Sequence, residues 1–144
     1  IQTAVRLVDK SIRTATDDFE LSLQDQHLFI MGSAQRIEQV MINLIINACD
    51  ALDSKKQSIR VSSELNLSQT HVMIKVEDQG RGIEEDLLPR LTDPFFTTKR
   101  ELGGTGVGLS VSARIVQDHE GIMTFDSVKL LGTSVTISLP CYLP

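Results

Sequence analysis

Two asparagines four positions apart, Asn43 and Asn47, interrupt a stretch that otherwise repeats apolar residues at helical intervals. With Gln39 and Asp50 they follow the spacing i, i+4, i+8 and i+11, which lines all four along one helical face, roughly opposite the apolar stripe. Asparagine is a poor helix former, and Lys, Glu or Arg would suit an ordinary solvated face better. Ile42 and Ile46 flank the pair, so the face reads as half-buried, like the wall of a cleft. An amide carbonyl in such a wall is a neutral hard-oxygen ligand, suited to a Mg²⁺ that already carries phosphate oxygens and water. The plainer alternative is a solvated helix face.

A second candidate is "DQGRG", Asp78 to Gly82, where an acid ends an alternating strand and two glycines follow. The glycines can turn the chain with positive φ or admit a ligand closely. A carboxylate at a strand end facing a pocket can accept a hydrogen bond from an exocyclic amine such as that of adenine, although the same letters also make a common turn. The third is "GGTGVGLS", Gly103 to Ser110. Glycines before a helix place bare N–H groups and the positive end of the helix dipole at an anion, or they serve as a hinge. No Lys-Ser/Thr follows the last glycine and no strand precedes the run, so neither a Walker loop nor a dinucleotide fingerprint fits.

The elements that must position these residues can be read from periodicity. Residues 1–15 carry Val5, Val8 and Ile12 at helical spacing, and alternation predicts strands at 18–23 and 27–31. Ser33 suits the N-cap of a helix running to about Leu52, with Ile37, Val40, Met41, Leu44, Ile45, Ala48, Cys49 and Leu52 inward. "SIRVSSELNL" and "HVMIKVED" predict a hairpin with a polar turn at 68–70, "EEDLLPRL" a short helix or turn, and "TDPFFTTKRELGG" a loop. The glycine-opened helix should last to about His119 and stop at Gly121, and "IMTFDSV" and "GTSVTISLP" close the chain as strands. The order implies helices packed on one face of a mixed, mostly antiparallel sheet, an α/β two-layer sandwich.

At 144 residues the chain is expected to form a single domain, 1–144. A formal charge of -5 makes its bulk surface a poor partner for nucleic acid or an anionic membrane, so any anion site must be local. Cys49 and Cys141 lack a metal-type spacing, and Cys49 falls on the apolar side of its helix, as expected of a small buried hydrophobe in a reducing cytosol. The opening "IQTAVRLVDKSI" reads as part of something longer.

Taken together, "QVMINLIINACDAL", "DQGRGI", "DPFFTTK" and "GGTGVGLS" resemble the N box, first glycine box, phenylalanine box and second glycine box of sensor histidine kinases, and "GTSVTISLP" resembles their last strand. The resemblance covers essentially the whole chain. It implies the Bergerat ATP-binding fold shared with type II topoisomerases, MutL proteins and the ninety-kilodalton heat-shock chaperones. "DPFFTTK" with a short lid is most similar to kinases of the nitrogen-regulation and dicarboxylate-sensing type.

The resemblance implies Asn47 on Mg²⁺ and Asn43 near the phosphates, both catalytic candidates together with Lys99, the lid cation for the γ-phosphate. It implies Asp78 on the adenine amine, a pocket shaped by Gly80, Gly82 and Ile83, and Thr133 helping to hold Asp78 and a water. Phe95 and Phe96 would anchor a lid continued by Thr97 and Thr98. Gly104, Thr105, Gly106, Val107 and Gly108 would bring backbone donors to the triphosphate, with Leu109 packed beneath. Asp50 departs from the family, where Lys or Arg is common, and would act through a water or Mg²⁺. The implied ligands are ATP and Mg²⁺. The implied partners are an upstream dimerisation and histidine phosphotransfer domain, reached through residues 1–15, and a response regulator receiver domain. Neither nucleic acid nor direct membrane contact is expected, and the placement is cytoplasmic, free or as part of an inner-membrane sensor. His27, His71 and His119 lack the setting of a phosphoacceptor and read as structural or surface residues. Two other functions fit the same boxes: an ATP-hydrolysing clamp, which would need a glutamate where Asn43 stands, and a nucleotide-dependent binding module such as an anti-sigma serine kinase.

Overall fold

Seven buried side chains on one helix organise the chain. In α3 (Ala34–Ala51), Ile37, Val40, Met41, Leu44, Ile45, Ala48 and Cys49 are each at most 9% exposed and recur at the spacing of a single helical stripe. The computed structural model describes residues 1–24, 28–94 and 108–142. Ser33 caps α3 as expected: it is extended, and its hydroxyl accepts from the Arg36 amide at 3.3 Å, satisfying an N–H that the helix itself cannot. At the other end the Arg81 amide donates to the Ala51 carbonyl at 3.0 Å and the Arg81 guanidinium donates to that of Asp50.

The predicted helix over 1–15 is two helices, α1 (Gln2–Leu7) and α2 (Asp9–Ala15), divided at Val8 with φ -107 and ψ 14. The buried positions are Ala4, Val8 and Ile12, spaced by four. On a straight helix such a series drifts by about 40° per step, and the break at Val8 keeps all three in the core beside α3. Helix α4 (Gly108–Asp118) also packs on α3 and contributes Ser112, Ile115 and Val116 to the interior.

Beneath the helices lies the sheet, made of β1 (Asp18–Leu23), β2 (Phe29–Ile30), β3 (Ser58–Leu65), β4 (His71–Asp78), β5 (Ile122–Val128) and β6 (Gly132–Tyr142). The order β1-β3-β4-β6 is continuous, and both β5 and β2 pair with β6. β1 runs parallel to β3 and every other pairing is antiparallel, giving the mixed, mostly antiparallel sheet expected. Ile59, Val61, Val72, Ile74, Val76, Ile137 and Leu139 face the α3 stripe in one core, while Arg60 and Glu64 point to solvent. β6 passes Pro140 and continues to Tyr142, because Cys141 and Tyr142 pair with β2. "EEDLLPRL" becomes a 3-10 helix over Glu85–Arg90.

Candidate functional site

Along three neighbouring strands the inward side chains stay apolar until the last. Val72, Ile74 and Val76 of β4 lead to Asp78; Leu139, Ile137 and Val135 of β6 lead to Thr133; Met123 and Phe125 of β5 lead to Ser127. The register sets these endings in one row, with Ser127 opposite Thr133, Thr133 opposite Asp78, and Asp78 opposite the buried Ile59. One step inward the row is Phe125, Val135, Val76 and Val61. A carboxylate and two hydroxyls therefore replace hydrocarbon at the edge of the core.

The glycine loop after β4 is built around this row. Asp78 Oδ1 accepts from the Gly80 amide at 2.8 Å, and Gln79 is tied to Ser58 through its amide at 3.1 Å and its side-chain oxygen at 3.0 Å. Gly80 lies so close to the end of α3 that a Cβ there would collide with the Ala51 carbonyl. Gly82 takes φ +68 beneath the β5–β6 turn, and the Ile83 amide donates to Ser127 Oγ at 2.8 Å. Ser127 Oγ in turn donates to the Gly132 carbonyl at 2.9 Å and lies 2.8 Å from Thr133 Oγ1.

Helix α3 joins this loop to the start of α4. Ala51 touches Gly80; Asn47 is one turn earlier and Asn43 one turn before that, a span of about 12 Å at 1.5 Å per residue. Asn43 Nδ2 donates to Ser112 Oγ at 3.0 Å, and its Oδ1 lies where a Cβ on Gly108 would sit. Asn43 and Asn47 are half-buried, whereas Gln39 and Asp50 are exposed. The four residues thus form no single face opposite the core: the asparagines stand on the shoulder towards α4. Asp50 lines a groove of about 390 Å³ on the α2 side, with Lys10, Ser11, Thr14, Ala15, Ile46 and Cys49. Leu109 is half-buried and packs against the core. Phe95, Phe96, Thr97, Thr98, Lys99, Gly104, Thr105, Gly106 and Val107 lie outside the described residues.

Both described histidines have structural partners. His71 Nδ1 pairs with Thr70 Oγ1 at 2.9 Å. His119 Nε2 accepts from the Ser33 amide at 3.0 Å while Nδ1 donates to the Ile115 carbonyl at 2.7 Å, which assigns the neutral Nδ1–H tautomer. His27 lies outside the described residues. Near the glycine loop the Lys129 ammonium holds the Glu84 carboxyl below its ordinary range, chiefly by a 2.5 Å hydrogen bond, and the lysine is raised in return. No group of three His, Cys, Asp or Glu side chains able to hold a metal occurs among the described residues. Neither Cys49 nor Cys141 forms a disulfide among the described residues, and Cys49 is buried. No described helix is long and apolar enough to cross a membrane.

Sequence reasoning missed Ser112 and Ser127. Ser112 sits four residues into α4 and gave no local sign of a partner on α3. Ser127 was within reach: counting by twos along "IMTFDSV" puts it on the face of Met123 and Phe125.

The sequence matches the family described as histidine kinase-, DNA gyrase B-, and HSP90-like ATPase over residues 32–143. It is 37% identical over 117 residues to sporulation kinase B of Bacillus subtilis (strain 168), covering 81% of this chain and 26% of that protein. It is 34% identical over 140 residues to the signal transduction histidine-protein kinase AtoS of Escherichia coli (strain K12), covering 97% of this chain and 22% of that one. The chain thus spans about a quarter of the length of these relatives. Among solved structures, the nucleotide-free catalytic domain of histidine kinase ThkA superposes with a TM-score of 0.82 at 31% identity, covering 96% of this chain and 90% of that one. The family match begins at Gly32, just before α3, and runs through the asparagine shoulder, the glycine loop and the polar row. The chain belongs to the histidine kinase-, DNA gyrase B- and HSP90-like ATPases, with the Bergerat fold, and is homologous to the catalytic domains of sensor histidine kinases.

Proposed function

We propose that this chain holds Mg-ATP and presents its γ-phosphate to a histidine on a separate dimerisation domain, from which the receiver domain of a response regulator takes it. The observation that carries this reading is a juxtaposition along α3. An acceptor-rich row lies beside the last turn of the helix, and an amide pair and the first turn of α4 lie about 12 Å away, so one ligand can be gripped at a base and at a polyphosphate together. The donor set suits such a ligand. Asp78 offers carboxylate oxygens to an exocyclic amine. Asn47 offers a neutral oxygen to a cation that takes its remaining ligands from phosphate and water, as Mg²⁺ prefers. The N-terminus of α4 offers N–H groups and positive potential to anionic oxygens.

Bound Mg²⁺ would supply charge neutralisation and orientation of the phosphates, which is most of what phosphoryl transfer requires. The chain's own residues then fix the base, exclude water beneath it with the Phe125, Val135 and Val76 row, and hold α3 against α4 through Asn43 and Ser112. Lys99 would neutralise the γ-phosphate, Phe95 and Phe96 would anchor the lid, and residues 1–15 would lead to the acceptor domain on the cytoplasmic side of a membrane or in the cytosol. A hydrolytic clamp is the weaker reading, because the amide of Asn43 has no basic lone pair with which to activate water and its Nδ2 already engages Ser112.

Asn47→Ala tests the reading. Calorimetric titration should show Mg-dependent ATP affinity reduced by about 10–100-fold or more, with the unfolding midpoint nearly unchanged. Unchanged affinity would remove Asn47 from the metal. With γ-labelled ATP and an acceptor helix domain supplied in trans, acid-labile phosphate should appear on that domain, and label on His27, His71 or His119 would overturn the separate acceptor.

A further inference from the structure

We propose that Ser127 is a positioning residue that sets which base the pocket accepts, by dictating the direction of the Thr133 hydroxyl proton. The inference rests on the nucleotide reading above and deepens it. Ser127 has one hydroxyl proton and three neighbours: the Ile83 amide at 2.8 Å, the Gly132 carbonyl at 2.9 Å and Thr133 Oγ1 at 2.8 Å. The amide can only donate and the carbonyl can only accept. The proton of Ser127 therefore goes to Gly132. If it went to Thr133, two acceptor oxygens would face each other at 2.9 Å with no hydrogen between them. The 2.8 Å contact to Thr133 must then carry the threonine's own proton, running from Thr133 to Ser127.

The consequence reaches the pocket through the register. Thr133 is directly opposite Asp78 on the inward face of the sheet, and both are half-buried. With its proton committed to Ser127, Thr133 presents only lone pairs at this edge, beside a carboxylate that also only accepts. The row is an acceptor pair. It suits a base edge, or a bridging water, that brings hydrogens, as the amino edge of adenine does. It leaves a carbonyl at the same place, as in guanine, without a donor, and an unmatched buried polar group is what makes such a site selective. Ser127 belongs to β5, outside both glycine boxes, and acts on the ligand only through Thr133.

The test compares the ratio of ATP to GTP affinity, measured by calorimetry on the intact chain, in four forms. In Ser127→Ala the Thr133 proton is released and can turn to Asp78 or to a ligand carbonyl, so the preference for ATP should fall by about tenfold, mainly through stronger GTP binding. Ser127→Thr keeps the hydroxyl and should keep the ratio. Thr133→Val deletes the acceptor while retaining shape, and should lower ATP affinity by about tenfold. In the double variant Ser127→Ala, Thr133→Val the serine change should have no further effect on the ratio. A ratio unchanged by Ser127→Ala, or a serine effect of equal size with Val at 133, overturns the proposal. So does Thr133→Val that binds ATP as the parent does, which decides the matter even if Ser127→Ala does not fold. A parent chain that binds neither nucleotide would instead overturn the nucleotide reading on which the inference rests.

Discussion

Two rows of the same sheet, two residues apart along each strand, differ in almost everything except backbone. In the row of Phe125, Val135, Val76 and Val61 every side chain is hydrocarbon, Val61 and Val76 buried in the core, Val135 packed against it and Phe125 half-buried, while the row of Ser127, Thr133 and Asp78 carries hydroxyls and a carboxylate tied into the loops around it. The strands, their twist and their neighbours are shared, so the difference lies in side chains alone. Stability is supplied where the chain excludes water from both partners of a contact. Recognition is possible only where it stops doing so, and the two rows are separated by just two residues, about 6.7 Å along each strand.

The comparison predicts separable losses. The largest should come from the apolar side: Ile137→Ala removes a side chain with no exposed surface, opposite Ile74 and Met123, and should cost about 2–5 kcal/mol in urea unfolding. Nucleotide affinity per folded molecule should stay as it was. A variant of normal stability but impaired binding would show that the rows are not independent. Asp78→Asn should do the reverse and cost about 1.5–3 kcal/mol of adenine affinity, because a carboxylate acceptor becomes an amide that can present a donor to a donor. Unfolding should change little, since the Gly80 amide keeps a side-chain oxygen to bond. If ATP and GTP are separated as well as before, Asp78 shapes the loop without reading the base.

How far each row could be read from the sequence follows from the same distinction. Helix α3 was legible because its signal is local: a Ser33 cap, seven apolar positions at one period, and nothing to interrupt them. The β3–β4 hairpin was legible by alternation, and Asp78 stood out as the acid where alternation ends. Thr133 was reached through the resemblance alone. Ser112 was not reached, because its role depends on packing against α3 and leaves no mark in neighbouring residues; alternation puts Ser127 on the inward face, but its place beside Thr133 depends on the register with β6. The break at Val8 is of the same kind. Asn43 and Asn47 have the half-buried placement that the spacing suggests, but the face read from it was rotated too far outward, since Gln39 and Asp50 share that spacing without sharing the burial.

The smallest expected effect sharpens the comparison by moving to the ends of the helix layer, where two surface ion pairs sit. Asp118 bridges Arg36 of α3 at 2.7 Å and Arg114 of α4 at 3.1 Å, beside the His119 link to Ser33 and away from the polar row. The Arg36 hydrogen bond, opposed by burial and assisted by the charges of Arg114 and Arg36, holds the Asp118 carboxyl below its ordinary range. A carboxyl depressed in the folded state favours folding at any pH above its unfolded value, and that contribution is lost as pH falls through the lower folded value. Lys129 does the same for Glu84 beside the glycine loop. Asp118→Asn and Glu84→Gln should therefore each flatten the acid limb of the stability curve slightly below about pH 4, and the flattening should shrink in high salt, since both pairs are solvent-exposed. Only Glu84→Gln should also alter nucleotide binding, because Lys129 is part of the turn whose Val128 carbonyl lies over Gly82. Equal effects of the two variants on affinity would mean that the far end of α3 is coupled to the pocket through the helix itself.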